Sequence, residues 1–279
     1  MSVYDTNGLK VDLYTIEDTR KDLKAVKEYF QNLPIHERAM QAFLIETRHM
    51  PQSVIKDSDA FYVDEELEVK DLPTWMQAES LGIVYKGRVS MYGRCVFPVK
   101  TPKGDIMGFV GWDPLVTPKY LDSFNYGYKA KTTTFFGMEN IGEYYRSDRP
   151  VFITEGLMCV LWLRAHGFQA MSSLGSTLSK YNQEILKRFG TRCIMIPDFD
   201  EAGEKYLRQI TYTLPLAQRF MVRYGKDIDG CRKFGRDYTN NPEGDIVDEK
   251  GRDYQAELLE DLSHIDDPFY TNFKVMVRR

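Results

Sequence analysis

Two short apolar runs that end in acid constrain this chain more than anything else in it. Val151, Phe152, Ile153 and Thr154 lead into Glu155 and Gly156, and Cys193, Ile194, Met195 and Ile196 lead, after one proline, into Asp198 and Asp200. Short apolar runs bounded by turn residues read as buried strands. Between them lie a helical run over 157–166 with Gly167 as its stop, a strand over 169–172, and a helix that Ser179 can cap and Gly190 can end. A helix through Ile210 and a strand over 219–223 follow. Strands alternating with helices of about 10 to 15 residues predict βαβ units and a mainly parallel sheet. Glu155, Asp198 and Asp200 then stand at the carboxyl ends of neighbouring strands, where open α/β sheets place ligands.

One such acid is cheap, because Asp makes turns and Glu suits a helix N-terminus. Three together repel one another, and a divalent cation is the simplest relief. Oxygen ligands with no His or Cys at ligand spacing favour Mg²⁺ or Mn²⁺. No zinc is expected, since none of the four cysteines forms C-x-x-C. Cys159 and Cys193 fall in apolar runs and read as buried small hydrophobes.

The first half has a different character. Residues 19–46 are helix-prone, with Leu23, Val26, Tyr29 and Phe30 at helical spacing, and Pro34 splits them into two helices. The acidic stretch 57–71 reads as a surface loop or edge. Strands over 94–100 and 105–112 flank Thr101-Pro102-Lys103-Gly104, where Pro second and Gly fourth suit a type I turn, so a hairpin is expected. A loop follows in which aromatics alternate with Lys119, Lys129 and Lys131. The formal net charge is -4, yet residues 81–131 hold eight basic and three acidic side chains, while 237–261 hold nine acidic and two basic. A local basic field lets an acidic protein bind a polyanion, although a plain solvated face has the same composition. No apolar run approaches the roughly 18 to 20 residues of a membrane span, and the N-terminus lacks a signal-peptide layout, so a cytoplasmic location is expected.

E-G after a strand, then S-L-G-S-T-L-S, then D-F-D-E-A-G resembles the TOPRIM domain shared by DnaG-type primases, type IA and II topoisomerases and several nucleases. R-C-V-F-P-V-K-T-P-K-G-D-I-M-G-F-V-G-W, T-P-K-Y-L-D-S, K-A-K and F-F-G-M-E-N resemble the basic half of the DnaG-type RNA polymerase core, and R-H-M-P-Q-S-V-I-K-D does so more weakly. The resemblance implies a basic α+β subdomain over 1–146, a Rossmann-like TOPRIM domain over 147–235, and an acidic link with a short helical tail, around 254–262, over 236–279. It implies Glu155, Asp198 and Asp200 as catalytic metal ligands, with Asp227 and Asp229 as further ones. Arg94, Lys119, Lys129 and Lys131 are expected to meet template or nucleotide.

Some positions depart from the family. Trp112 stands where an arginine usually follows G-G, so a phosphate contact is missing or replaced by stacking. Cys159 replaces a common Asp. No zinc ribbon precedes the core, and the region after Asn240 is short for a helicase-binding domain. Template recognition and helicase coupling are therefore expected to be absent, altered or supplied by a replicative helicase or a separate template-recognition protein; the compactness suggests a phage or mobile-element version. The function implied is synthesis of short RNA primers on single-stranded DNA from NTP substrates. A TOPRIM nuclease and a non-catalytic nucleic-acid or replication-partner module are the competing readings.

Overall fold

The computed structural model describes residues 3–4, 10–11, 13–48, 50–123, 134–175, 177–189, 193–196, 205–206 and 220–221. The chain forms two compact units, 1–47 with 52–134 and 48–51 with 135–279. Each contains a four-stranded sheet, but of a different kind.

The first unit opens with an antiparallel pair, β1 (Val3–Tyr4) and β2 (Lys10–Val11), followed by α1 (Leu13–Gln31). Leu23, Val26 and Phe30 are buried on one face of α1, as their spacing predicts. Phe30 stacks on Phe61 at 5.1 Å between centroids, and Phe61 meets Phe109 edge-on at 5.2 Å. The helix breaks at Pro34 as expected, and α2 (His36–Met40) then runs into a π-helical stretch, Gln41–Thr47. The short α3 (Ser53–Asp57) precedes the acidic stretch. That stretch holds an edge strand, β3 (Phe61–Val63), whose three residues are all buried. A separate ribbon pairs β4 (Val84–Tyr85) with β5 (Arg88–Val89). The expected hairpin is present as β6 (Arg94–Lys100) and β7 (Ile106–Trp112). Its turn is closed by the Gly104 N–H donating to the Thr101 carbonyl at 2.9 Å. β8 (Tyr120–Asp122) completes the antiparallel order β3-β6-β7-β8. Nearly every residue of β6 and β7 is buried, which is why both read as continuous apolar runs rather than alternating ones.

The second unit contains α4 (Ile141–Arg146), β9 (Val151–Thr154), α5 (Leu157–Ala165), β10 (Gln169–Ser172), α6 (Lys180–Phe189), β11 (Cys193–Ile196) and β12 (Phe220–Met221). Its sheet is parallel, in the order β10-β9-β11-β12. Ser179 caps α6, its hydroxyl oxygen accepting the Asn182 N–H at 3.0 Å. Cys159 and Cys193 are buried, 1% and 0% exposed.

The second compact unit takes in residues 135–146 together with the chain that follows. Phe135, Met138, Ile141 and Tyr144 share one core with Val151, Ile153 and Met171. Phe136 also exchanges two backbone hydrogen bonds with Ser172 on the edge strand β10, at 2.8 and 3.0 Å. The segment before β9 is thus an edge cover for the parallel sheet. The acidic link and the tail helix expected over 254–262 lie outside the described residues.

Candidate active site

Glu155 follows β9 directly and is 6% exposed. The turn after β10 holds its backbone. The Ser172 hydroxyl donates to the Glu155 carbonyl at 2.6 Å, and the Gly175 N–H donates to the same oxygen at 3.1 Å. Ser172 Oγ in turn accepts the Leu174 N–H at 2.9 Å. The Ser173 N–H donates to the Thr154 carbonyl at 3.2 Å, while its hydroxyl donates to the Gly175 carbonyl at 2.7 Å and meets the Tyr206 hydroxyl at 2.9 Å. Leu174 sits at φ +59°, a conformation uncommon for any residue but glycine, inside this bonded frame. The sequence offered these hydroxyls in S-S-L-G-S, but as residues without a role; a run of serines directly after a strand was the signal.

Asp198 and Asp200 lie outside the described residues, as do Asp227, Asp229, Lys129 and Lys131. The strand that leads into the first two is described. β11 runs beside β9 in register, Ile196 opposite Thr154, so the strands preceding Glu155 and Asp198 end side by side. Among the described residues, no three acids, histidines or cysteines gather closely enough to hold a metal ion. Glu155 is the described member of the expected set, and its carboxylate chemistry suits a hard divalent cation.

The two described cations behave differently. Arg94 opens β6 and is only 7% exposed. Its guanidinium donates through Nη1 to the Lys119 carbonyl at 2.9 Å and through Nη2 to the Pro118 carbonyl at 3.0 Å. Burial lowers its pKa, against the opposing pull of Asp113 and Tyr92. Its stem crosses Gly111, where a Cβ would lie 2.9 Å from Arg94 Cδ. Arg94 therefore braces the loop from beneath. Lys119, held by its own backbone through the Asp113 N–H at 3.0 Å, is exposed.

Trp112 provides no stacking surface. It is 2% exposed and packs edge-on against Phe43 at 6.0 Å, so the bulky residue after Gly111 fills core. Of the two alternatives at this position, a phosphate contact that is missing or one replaced by stacking, burial of the ring removes the second.

A family profile described as Toprim-like matches residues 152–231. The DNA primase of Clostridium acetobutylicum is 26% identical over 84% of this chain and 41% of its own length. That of Aquifex aeolicus is 24% identical over 72% of this chain and 43% of its own length. The chain spans less than half the length of these curated relatives. The zinc-binding and RNA polymerase domains of the Aquifex aeolicus primase superpose with a TM-score of 0.66 at 20% identity, covering 94% of this chain and 68% of that one. A DnaG primase catalytic domain bound to ssDNA gives 0.64 at 18% identity, covering 78% and 76%. The chain therefore carries the fold of a DnaG-type primase catalytic core, with a Toprim-like domain over residues 152–231.

Proposed function

We propose that the chain is the catalytic part of a primase, joining ribonucleotides into short RNA primers on single-stranded DNA by attack of a 3′-hydroxyl on an NTP α-phosphate. The breadth of the likeness carries this reading. A Toprim-like segment alone occurs in cleaving enzymes too, but the similarity to the Clostridium acetobutylicum DNA primase takes in 84% of the chain, more than either unit holds. That breadth favours synthesis over cleavage and over mere binding. A primase catalytic domain of the same fold is bound to ssDNA, which supports the same class of template here.

Toprim and primase proteins generally use divalent metals. We assign Glu155, Asp198 and Asp200 as ligands for Mg²⁺ or Mn²⁺, with Asp227 and Asp229 as further acids, because carboxylate-only donors suit those ions. Such an ion, when bound, offsets phosphate charge and favours deprotonation of the attacking hydroxyl. The chain's own part is positioning. The serine turn fixes the Glu155 backbone, Arg94 braces the loop that presents Lys119, and Lys119, Lys129 and Lys131 meet phosphates. No side chain is assigned as a general base. A replicative helicase or a separate template-recognition protein is proposed as a further partner. No helix among the described residues is long and apolar enough to cross a membrane, and we place the protein in the cytoplasm.

The test is synthesis on a single-stranded template with labelled ribonucleotides and Mg²⁺ or Mn²⁺. Short oligomers that disappear in Asp198→Ala and Glu155→Gln support the assignment. Products that persist in both variants, or no product with either ion, overturn it.

A further inference from the structure

We propose that the β4–β5 ribbon is a contact for single-stranded nucleic acid, with a base stacked on Tyr85 and phosphates met by Lys86 and Arg88. The ribbon is anchored on one face. Val84 and Val89 stand opposite each other and are 3% and 5% exposed, as part of the first unit's core. Tyr85 and Arg88 are the next opposite pair, so strand alternation puts them together on the other face. Tyr85 is 52% exposed, and Lys86 and Arg88 are exposed.

The turn is unusual for its sequence. Lys86 and Gly87 have φ of +50° and +71°, the sign pattern of the tight hairpin turn that selects Asn-Gly or Gly-Gly. Lysine is a poor choice there on backbone grounds, so what it contributes is its charge. Its Nζ lies 5.2 Å from the centre of the Tyr85 ring. From Ser80 to Gly104 the chain has five basic residues and no acidic one, although its net charge is -4. An aromatic ring among cations, with Glu79 the nearest acid in sequence, is the pairing that single strands require: a platform for a base and charges for the backbone. An acidic protein would match the cations but leave the ring unexplained.

The inference rests on the reading that the chain works on single-stranded nucleic acid, and the test separates the two. Fluorescence anisotropy of the full chain with labelled oligothymidylate and oligouridylate, over a range of salt, reads affinity and charge contacts together. Tyr85→Ala is expected to weaken binding about tenfold and Tyr85→Phe to restore it. Lys86→Asn with Arg88→Gln, which keeps a favourable turn residue, is expected to flatten the plot of log affinity against log salt by about 1.4. The DNA and RNA arms distinguish template from primer as the strand contacted. Equal affinity and slope in all variants, with the parent chain binding, overturns the ribbon assignment alone. A parent chain that binds neither oligomer overturns both readings. In a parallel titration with labelled polyglutamate, loss of binding in these variants with oligonucleotide binding intact makes the ribbon a protein contact and overturns the assignment.

Discussion

Each unit is clamped from within, one around an anion and the other around a cation. In the first, Asp59 accepts from Lys27 at 2.8 Å and Lys100 at 2.6 Å, while Gln31 donates to the Asp59 and Ala60 carbonyls at 3.1 and 3.0 Å. One anion ties α1 to the end of β6. In the second, Arg164 on α5 donates to the Glu139 carboxylate at 2.9 Å, the Tyr144 hydroxyl at 3.0 Å, and the Gly137 and Ala170 carbonyls at 2.7 and 3.2 Å. One cation ties the crossover helix to the edge cover. Gly137 allows this approach: its φ is +93°, and a Cβ there would lie 2.8 Å from Arg164 Nη2 and 3.0 Å from the Ala170 carbonyl.

The difference bears on acid. Burial pushes the Asp59 carboxyl up, but hydrogen bonds and charge from Lys100 and Lys27 together outweigh it and hold its pKa below 3.8. Its stabilisation is complete above that unfolded-state value and is lost as pH falls through the lower folded one. Arginine keeps its charge throughout, and three of the oxygens that Arg164 holds belong to neutral groups.

The largest effect is expected from Arg164→Met, which takes the cation from the Glu139 carboxylate and a donor from the Gly137 carbonyl in a partly buried site, and leaves the Tyr144 hydroxyl its bond to the Ala170 carbonyl. It should cost about 3 to 4 kcal/mol in urea unfolding, with hydrogen exchange accelerated in the second unit; acceleration in the first unit would erase the contrast. Asp59→Asn is next, at about 2 kcal/mol, because two mostly buried ammonium groups lose their counter-charge. In the parent protein, first-unit amides should lose protection below pH 3.8 before second-unit amides do, and Asp59→Asn should remove that order. Gly111→Ala forces the Arg94 stem aside and is expected to cost about 1.5 kcal/mol, read from the urea midpoint. Ser179→Ala removes the cap of α6 and should cost about 1 kcal/mol in thermal unfolding.

Sequence periodicity was most informative where the fold is local. The β6–β7 hairpin, the Pro34 break, the Ser179 cap and strands β9 and β10 could all be read from it, because turn and cap residues act over three or four positions. What escaped was long-range. Phe136 pairs with a strand more than thirty residues later, and no local pattern signals a pairing at that distance. For Arg94, expected to meet template or nucleotide, nothing in R-C-V-F-P-V-K shows that its guanidinium also turns back onto carbonyls 24 and 25 residues away. Trp112 looked available for stacking because a strand's last residue can face either way. Of the expected acids, Glu155 is placed by the structure, and its serine frame adds a reason for S-S-L-G that spacing alone did not supply.

The reaction's direction is decided most directly by one tube containing a single-stranded DNA labelled at its 5′ end with one dye, ribonucleotides carrying another, and Mg²⁺ or Mn²⁺. A primase yields short products in the second dye, leaves the first dye at full length, and loses the products in Asp198→Ala. Shortening of the first dye with no product in the second contradicts the primase reading and makes the same carboxylates those of a nuclease.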